Sequence, residues 1–216
     1  MNKKKVLIII LIVILIIILI LVMFFLKKFL IIKKLQNSIE QYSELTNYYT
    51  KITQTYENSE NIQIMEYYVK GEKQVAIFQN TIEGEVSTTY FYNTGERIDV
   101  YYDNSEGKTA ELGADTEMTI TIYNYLETDS VLETLLSSLT ATITTGDYNG
   151  IECYIISNFN SYMATGEYKN EIYIEKDTGL CLKAIIDDVT YEREYEFDNV
   201  SDDVFAEPDL GQYTIL

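Results

Sequence analysis

Histidine and tryptophan are absent from this 216-residue chain, proline occurs once and cysteine twice. Without histidine the chain lacks the commonest general base and the commonest zinc ligand, and it cannot build a Ser-His or Cys-His nucleophile pair. No other nucleophile motif and no calcium-loop spacing is present in the sequence. We therefore expect a protein that is not an enzyme, with no catalytic residues, no metal site and no cofactor.

Charged and polar side chains are missing from residues 6–26, a run of aliphatic residues, Met and Phe. A helix of that length spans the roughly 30 Å hydrocarbon core of a bilayer. A cleavable signal peptide has a shorter apolar region of about 7–15 residues and a small-residue cleavage site, and neither feature occurs here. The sequence predicts an uncleaved, single-pass membrane anchor.

Acidic residues are absent from the first 34 positions, which carry seven lysines; the remainder has 9 basic against 34 acidic residues, a net charge of −25. So acidic a domain repels nucleic acid, and we expect no nucleic-acid partner. Both flanks of the anchor are basic, so the positive-inside rule alone leaves the orientation open. The short first flank favours a cytoplasmic N-terminus in the cell membrane and an extracytoplasmic domain.

Two regions follow from these patterns: an anchor with basic flanks at residues 1–34 and a domain at residues 35–216. Apolar residues at Leu35, Ile39, Tyr42 and Leu45 form a helical stripe just after the anchor. This helix either continues the anchor as a stalk or packs on the domain.

The period changes to two at Asn47, which indicates strands. Five alternating runs between residues 47 and 104 are separated by short Gly- or Asn-containing breaks, the pattern of consecutive antiparallel hairpins. We expect a polar loop at residues 105–115, a strand at 117–127, an amphipathic helix at 129–139 capped by Asp129 or Ser130, and further strands from 140 to 200. The helix is expected to lay its apolar face on the sheet. The predicted fold is mainly β, with about ten antiparallel strands in a curved sheet and one covering helix.

Three stretches in the second half, at residues 149–156, 172–183 and 195–209, carry the patterns Asn-Gly-x-x-Cys-Tyr-x-Ile, Ile-Tyr-Ile-Glu-Lys-Asp-Thr-Gly-Leu-x-Leu-Lys and Tyr-Glu-Phe-Asp-Asn-Val-Ser-Asp-Asp-Val-Phe-x-x-Pro-Asp. With these patterns, residues 45–215 resemble the LolA/LolB-like bacterial lipoprotein carriers, and in particular their membrane-tethered relatives in Gram-positive and wall-less bacteria. The resemblance implies an incomplete β-barrel that encloses a cavity for acyl chains. The peptide anchor departs from the family's soluble and lipid-anchored members and favours a local role at one membrane.

A cavity of this kind would be lined by apolar residues of the strands and of the covering helix, and we predict the lining residues Ile52, Ile64, Ile77, Val100, Leu132 and Leu136. Burial of acyl chains against them would contribute about 0.8 kcal/mol per methylene. The same apolar pattern also suits a filled core without a cavity. The sequence thus favours a lipid- or lipoprotein-binding module, with a structural or sensory protein that binds a protein partner as the alternative.

The remaining polar features point to ordinary surface and core positions. Cys153 and Cys181 fall on strands with one strand between them, too far apart for a disulfide, and are expected to be buried thiols. The pairs Asp187-Asp188 and Asp202-Asp203 are expected to be solvated, as is the alternating run from Glu192 to Glu194. Doubled tyrosines place one ring on each face of a strand, which suits either a partner surface or sheet propensity alone.

Overall fold

The computed structural model of the protein describes residues 3–159 and 170–216, which form two α-helices, one twelve-stranded sheet and two 3-10 helices. Helix α1 is Lys3–Ser43 and α2 is Val131–Thr140, and the 3-10 helices are Asp202–Phe205 and Leu210–Gln212. Strands β1 to β6 are Asn47–Tyr56, Ile62–Lys70, Lys73–Ile82, Glu85–Asn93, Ile98–Asn104 and Gly107–Glu111. Strands β7 to β12 are Thr142–Tyr148, Ile151–Ser157, Asn170–Glu175, Cys181–Ile186, Val189–Phe197 and Thr214–Ile215.

The sheet consists of two meanders that join in its middle, in the order β12-β6-β5-β4-β3-β2-β1-β11-β10-β9-β8-β7. Strand β1 pairs with β2 on one side and with β11 on the other, both antiparallel. Only β12 runs parallel to its neighbour, β6, within the described sheet. The chain must therefore travel from the β6 edge to the β7 edge between residues 112 and 141.

Tight turns set the register of the meanders, as the sequence predicts. Asn149 and Gly150 link β7 to β8 with φ angles of 54° and 85°. Positive φ at both central residues gives a turn whose twist matches that of the flanking strands, and Asn-Gly tolerates it best.

One predicted loop and one predicted strand are wrong. The stretch expected to be a polar loop contains β6, because Asn104 Oδ1 accepts hydrogen bonds from the backbone N–H of Glu106 and of Gly107 and turns the chain back on β5. Residues 117–127 form no strand, although Ile120 and Ile122 alternate with exposed neighbours as predicted. This segment belongs to the crossing between the two edges, so it lies across a face of the sheet and has no strand beside it to complete a ladder.

Helix α1 combines a candidate membrane span with a core element. Its 41 residues extend about 60 Å at 1.5 Å per residue. Within the described residues it is the one helix long and apolar enough to cross a membrane, and side chains from Leu7 to Leu26 are mostly exposed. Further along, Ile32, Leu35 and Ile39 are buried. The helical stripe after residue 34 therefore both continues the apolar helix and packs on the domain. The division of the chain into regions 1–34 and 35–216 stays a prediction.

The face of the sheet that contacts α1 is called the inner face here, and the opposite one the outer face. One inner cluster packs Ile32 and Leu35 against Ile156 and Ile172. A second packs Ile39 with residues of β1, β2 and β3 and with Ile120 and Ile122. On the outer face, Phe205 and Tyr213 of the C-terminal tail pack near Val75 and Tyr101.

The predicted fold class, mainly β with a curved, incomplete sheet and an N-terminal apolar helix, is confirmed. The covering element differs from the expectation. Helix α1 covers the inner face, whereas α2 packs on α1 and turns its leucines outward. The cap itself is as predicted, since Ser130 Oγ accepts a hydrogen bond from the backbone N–H of Glu133 at 3.2 Å.

Candidate functional site

Two elements of the chain occupy most of the inner face. The first is the last third of α1, and the second is the segment at residues 116–126, which we call the crossing segment. Gln36 Nε2 donates to the carbonyl oxygen of Leu126 at 2.5 Å, and Tyr48 Oη donates to the carbonyl oxygen of Ile120 at 2.9 Å. These bonds tie the crossing segment to the helix on one side and to β1 on the other.

A cavity of about 240 Å³ remains between the crossing segment and the sheet. Its walls come from β1, β2 and β11 and from the crossing segment itself. The lining residues are Thr50, Ile52, Tyr67, Thr119, Ile120, Thr121, Ile122, Tyr123, Arg193 and Tyr195. Small-molecule sites are commonly about 300–1,000 Å³, so this cavity in its present form has room only for a small group.

Arg193 is the cation of this pocket, and its surroundings are unusual for an arginine. It lies opposite Ile52 in the β1–β11 register and is largely buried. One guanidinium nitrogen, Nη2, donates to Tyr125 Oη at 2.8 Å, and the group sits 4.9 Å from the centre of the Tyr125 ring. Within the described residues the Nε atom has no hydrogen-bond partner, and neither has the buried Thr50 Oγ1.

Six other cations of the domain contrast with Arg193, whereas the exposed Lys73, like Arg193, has no carboxylate within 4 Å among the described residues. Lys51, Lys70, Lys108, Lys176, Lys183 and Arg97 each lie within 4 Å of a carboxylate. No such ion pair involves Arg193 in the part of the chain that the structure describes. A largely buried charge without a counterion costs stability. A guanidinium in this setting is chemically able to pair with an anion.

The phenols around Arg193 stay neutral at physiological pH. Burial raises the pKa of Tyr67, Tyr125 and Tyr195 above its usual value, although the arginine opposes this effect in each case. Burial lowers the pKa of Arg193 itself, but nearby Tyr195, Tyr125 and Cys181 raise it overall. The site thus offers one permanent cation, neutral hydroxyl groups and an apolar wall, which suits an anion attached to an apolar chain.

A second cavity, of about 420 Å³, lies between α1 and the crossing segment. It shares Thr121, Ile122 and Tyr123 with the arginine pocket. Its other walls are largely polar and include Lys33 and Glu127. The crossing segment is therefore a thin partition between two partly open spaces.

The structure brings only some of the predicted lining residues to one surface. Ile52 lines the arginine pocket and Val100 is buried on the inner face. Ile64 and Ile77 lie on the outer face, because the register pairs them with Thr53 and Glu66.

Leu132 and Leu136 of α2 are exposed. The six residues therefore do not all face one concave surface, and this part of the prediction is wrong. The sequence alone does not show whether the odd- or the even-numbered residues of a strand point towards α1. A role of any of them in binding stays a prediction.

Arg193 is the residue that the sequence analysis missed, since the run from Glu192 to Glu194 was expected to be wholly solvated. Glu192 and Glu194 are exposed. Arg193 lies on the same side of β11 as Tyr191 and Tyr195 and points to the inner face. The sequence does contain a signal for this position, because successive side chains of a strand point to opposite faces of the sheet. Once the face of any one residue of β11 is known, Arg193 is assigned to the face opposite that of Glu192 and Glu194.

The other polar expectations can also be located. Cys153 and Cys181 are buried free thiols on β8 and β10, with β9 between them as expected. Asp202 lies 2.9 Å from Lys70, and this hydrogen bond lowers the pKa of the aspartate. Within residues 3–159 and 170–216, no three His, Cys, Asp or Glu side chains come together as metal ligands.

No family model matches the chain, and no curated protein matches it in sequence. Solved structures are similar in fold. MucB has a TM-score of 0.41 at 9% identity over 82% of this chain and 62% of MucB. An uncharacterized conserved protein from Thermus thermophilus has a TM-score of 0.43 at 10% identity, over 85% of this chain and 98% of that one. A putative outer membrane lipoprotein-sorting protein domain from Vibrio parahaemolyticus has a TM-score of 0.30 at 10% identity, over 80% and 94%.

A lipoprotein-sorting domain is thus one of the solved structures to which the chain is similar. Membership in the carrier family stays a prediction. The chain spans only 62% of the MucB length. At TM-scores below 0.5 the neighbours supply no argument about function, so the proposals that follow depend on the geometry of this chain.

Proposed function

We propose that this chain is a membrane-anchored, extracytoplasmic and non-enzymatic module that binds a lipid or lipoprotein on the inner face of its sheet. In this proposal the anionic group of the ligand pairs with Arg193, and its acyl chain contacts Ile52, Ile120 and Ile122. The observation that carries the proposal is the largely buried guanidinium of Arg193, which has no carboxylate beside it among the described residues and lines a cavity whose walls combine isoleucines with threonine hydroxyls.

Chemistry favours an anion at this position over a neutral ligand. A guanidinium binds phosphate or carboxylate with two parallel N–H bonds, and desolvation strengthens such charge-assisted bonds. The Nε atom has no hydrogen-bond partner among the described residues, and the Nη2 atom donates to the neutral phenol of Tyr125. A phosphate group at Arg193 would supply the missing negative charge and accept from Nε and from Thr50 Oγ1.

Room for an acyl chain requires movement of the crossing segment. The present cavity of about 240 Å³ is small, and residues 116–124 form no ladder with the sheet. Displacement of this segment would join the arginine pocket to the polar cavity beside α1. Its attachment to β1 through the hydroxyl of Tyr48 is one of the hydrogen bonds that must open.

The test uses the full-length chain in nanodiscs of phosphatidylcholine. Short-chain phosphatidylglycerol, below its critical micelle concentration, is titrated by calorimetry, with short-chain phosphatidylcholine as the neutral comparison. We expect saturable binding of the anionic lipid and at least tenfold weaker binding for Arg193→Gln, since losing one desolvated charge pair exceeds about 1.4 kcal/mol. Lys51→Gln removes a cation from the outer face of β1 and should bind as the unsubstituted protein does.

Equal affinity of Arg193→Gln and the unsubstituted chain would contradict the proposed role of the arginine. Absence of any saturable lipid binding would contradict lipid handling altogether.

The alternative function, binding of a protein partner by a module with a filled core, has its own support. Ile32, Leu35 and Ile39 of α1 occupy the inner face where a carried acyl chain would lie. Tyr123 of the crossing segment is 55% exposed and could contact a partner. If short-chain lipids fail to bind while cross-linking through position 123 captures one defined protein in the native membrane, the module is a protein-binding one.

A further inference from the structure

Helix α2 exposes most of its apolar side chains and buries three of its polar ones. The buried residues are Thr134, Ser137 and Ser138. The exposed fractions of the apolar side chains are 60% for Val131, 64% for Leu132, 37% for Leu136 and 58% for Leu139. Four large apolar residues at adjacent positions on one side of a ten-residue helix form a contiguous surface, and such surfaces on soluble proteins mark contact sites.

The polar face of α2 is well accommodated, so the orientation of the helix is not a packing error. Ser138 Oγ donates to the carbonyl oxygen of Thr134 at 2.6 Å, and Thr134 Oγ1 lies 2.7 Å from Thr128 Oγ1. Small side chains on this face allow α2 to pack closely on α1. Turning the helix over would bury the leucines but expose this hydrogen-bonded face.

Two hydrogen bonds fix the position of α2 relative to the membrane anchor. Lys28 Nζ donates to the carbonyl oxygen of Ala141, directly after the last residue of α2, at 2.6 Å. Gln36 Nε2 lies 3.4 Å from Thr128 Oγ1, just before its first turn. Helix α2 therefore runs antiparallel to α1, and its C-terminal end lies at Lys28, two residues beyond the apolar run.

Charge along α2 follows the same direction. The acidic residues Asp129 and Glu133 belong to the start of the helix, which lies farther from the bilayer. Residues 134–141 carry no charge at all. The end nearest the membrane is thus the end that enters an apolar phase at least cost.

We propose that the C-terminal half of α2, with Leu136 and Leu139, enters the lipid interface beside α1 as a second membrane contact. The lipid surface is the occupant that fits, because the C-terminal end of α2 lies at Lys28, two residues beyond the exposed apolar run of the anchor, and the charge of that lysine is held by the carbonyl oxygen of Ala141. Amphipathic helices bind interfaces in this way, by burial of an apolar face. Two contacts fix the rotation of the domain about α1 and so set the direction in which its inner face opens.

The absence of tryptophan from the chain allows a direct test with single tryptophans. The full-length variant Leu139→Trp is reconstituted in phosphatidylcholine:phosphatidylglycerol vesicles, with and without brominated acyl chains. We expect blue-shifted emission and at least threefold stronger quenching by brominated lipid than for Ile151→Trp. Ile151 is the matched control because it is 37% exposed at the opposite end of the adjoining β7–β8 hairpin.

A Leu139→Trp emission and quenching profile equal to that of Ile151→Trp would overturn the proposal. Blue-shifted emission that is insensitive to brominated lipid but disappears on dilution of protein in lipid would also overturn it, and would assign the face to a second copy of the chain. Leu136→Trp provides an independent position if the first variant fails to fold as judged by circular dichroism.

Discussion

Gln36 and Leu126 are 90 residues apart in sequence, yet the Gln36 side-chain amide donates to the Leu126 carbonyl oxygen at 2.5 Å, and both residues are buried. The bond joins the buried part of α1 to the crossing segment. It thereby links the helix that carries the candidate membrane span directly to the part of the chain that closes the inner face.

Replacement of Gln36 by Ala should destabilise the domain. The substitution leaves the buried Leu126 carbonyl without its donor, which costs about 1–3 kcal/mol. Asn37→Ala changes an exposed neighbour on the same helix and should shift the free energy of unfolding by less than about 0.5 kcal/mol. Urea denaturation in mild detergent, followed by circular dichroism, measures both. Equal stabilities of the two variants would mean that the bond contributes nothing.

Gly179 is where the β9–β10 turn touches α1. A Cβ at this position would lie 2.7 Å from the carbonyl oxygen of Leu35, and the φ of +79° is unfavourable for other residues. Gly150 has a similar φ of +85° but open space around it. Gly150→Ala should therefore cost about 1 kcal/mol from the backbone alone, and Gly179→Ala clearly more.

The same denaturation experiment compares the two glycine variants. The difference between them isolates the contact of this turn with the helix. A smaller loss for Gly179→Ala than for Gly150→Ala would show that α1 does not pack against the turn in solution.

Arg193 should lower the stability of the unliganded protein while it serves binding. Arg193→Met removes a largely buried, unpaired charge and keeps most of the apolar stem, so we expect a gain of about 1–3 kcal/mol in the free energy of unfolding. Lys51→Met, on the outer face of β1, should stay within about 0.5 kcal/mol. A loss of stability in Arg193→Met would indicate that the contact with Tyr125 outweighs the cost of burying the charge.

Stability should decline at alkaline pH because of buried tyrosines. Burial raises the pKa of Tyr48 and of Tyr92 to about 12, against 10 in the unfolded chain. Between about pH 10 and 12 the unfolded state binds fewer protons than the native state, so the free energy of unfolding falls as pH rises through this window and is unaffected by these groups below it. Denaturation at a series of pH values should show less of a decline for Tyr48→Phe. An identical slope in that variant would remove Tyr48 from the explanation.

Both cysteines should be unreactive in the folded protein. Burial raises the pKa of the Cys181 thiol to about 12 and raises that of Cys153 as well, so little thiolate is present at pH 8. Iodoacetamide should label neither in the native state and both after denaturation, as mass spectrometry can follow. Recovery of a Cys153–Cys181 disulfide from the native protein would contradict the arrangement of β8, β9 and β10.

The sequence was a sound guide wherever a feature depends on near neighbours along the chain. The hairpin at Asn149-Gly150 and the Ser130 cap were both predicted, because turn geometry and capping involve residues only a few positions apart. The crossing segment shows the limit of this reasoning. Its alternation of buried and exposed residues is real, but a strand also needs a paired neighbour, and the topology of the sheet leaves none there.

The candidate site required information about distant pairs. The alternation in β11 could place Arg193 and Glu192 on opposite faces, but only the pairing of β11 with β1 decided that Arg193 lies inside with Ile52. The same rule assigned Ile64 and Ile77 to the outer face. A shift of one residue in register reverses every side chain of a strand, so facing is a property of the whole sheet.

By itself, the sequence determined the apolar span, the acidic character of the domain and the two-residue period of its strands, because these are properties of composition and of the local pleat. Only the tertiary structure decided that the apolar N-terminal helix continues into the core, that α2 turns three of its four leucines outward and that Arg193 has no carboxylate beside it within the described chain. Each of these depends on which elements meet in space, and contacts between residues a hundred positions apart are set by topology and packing.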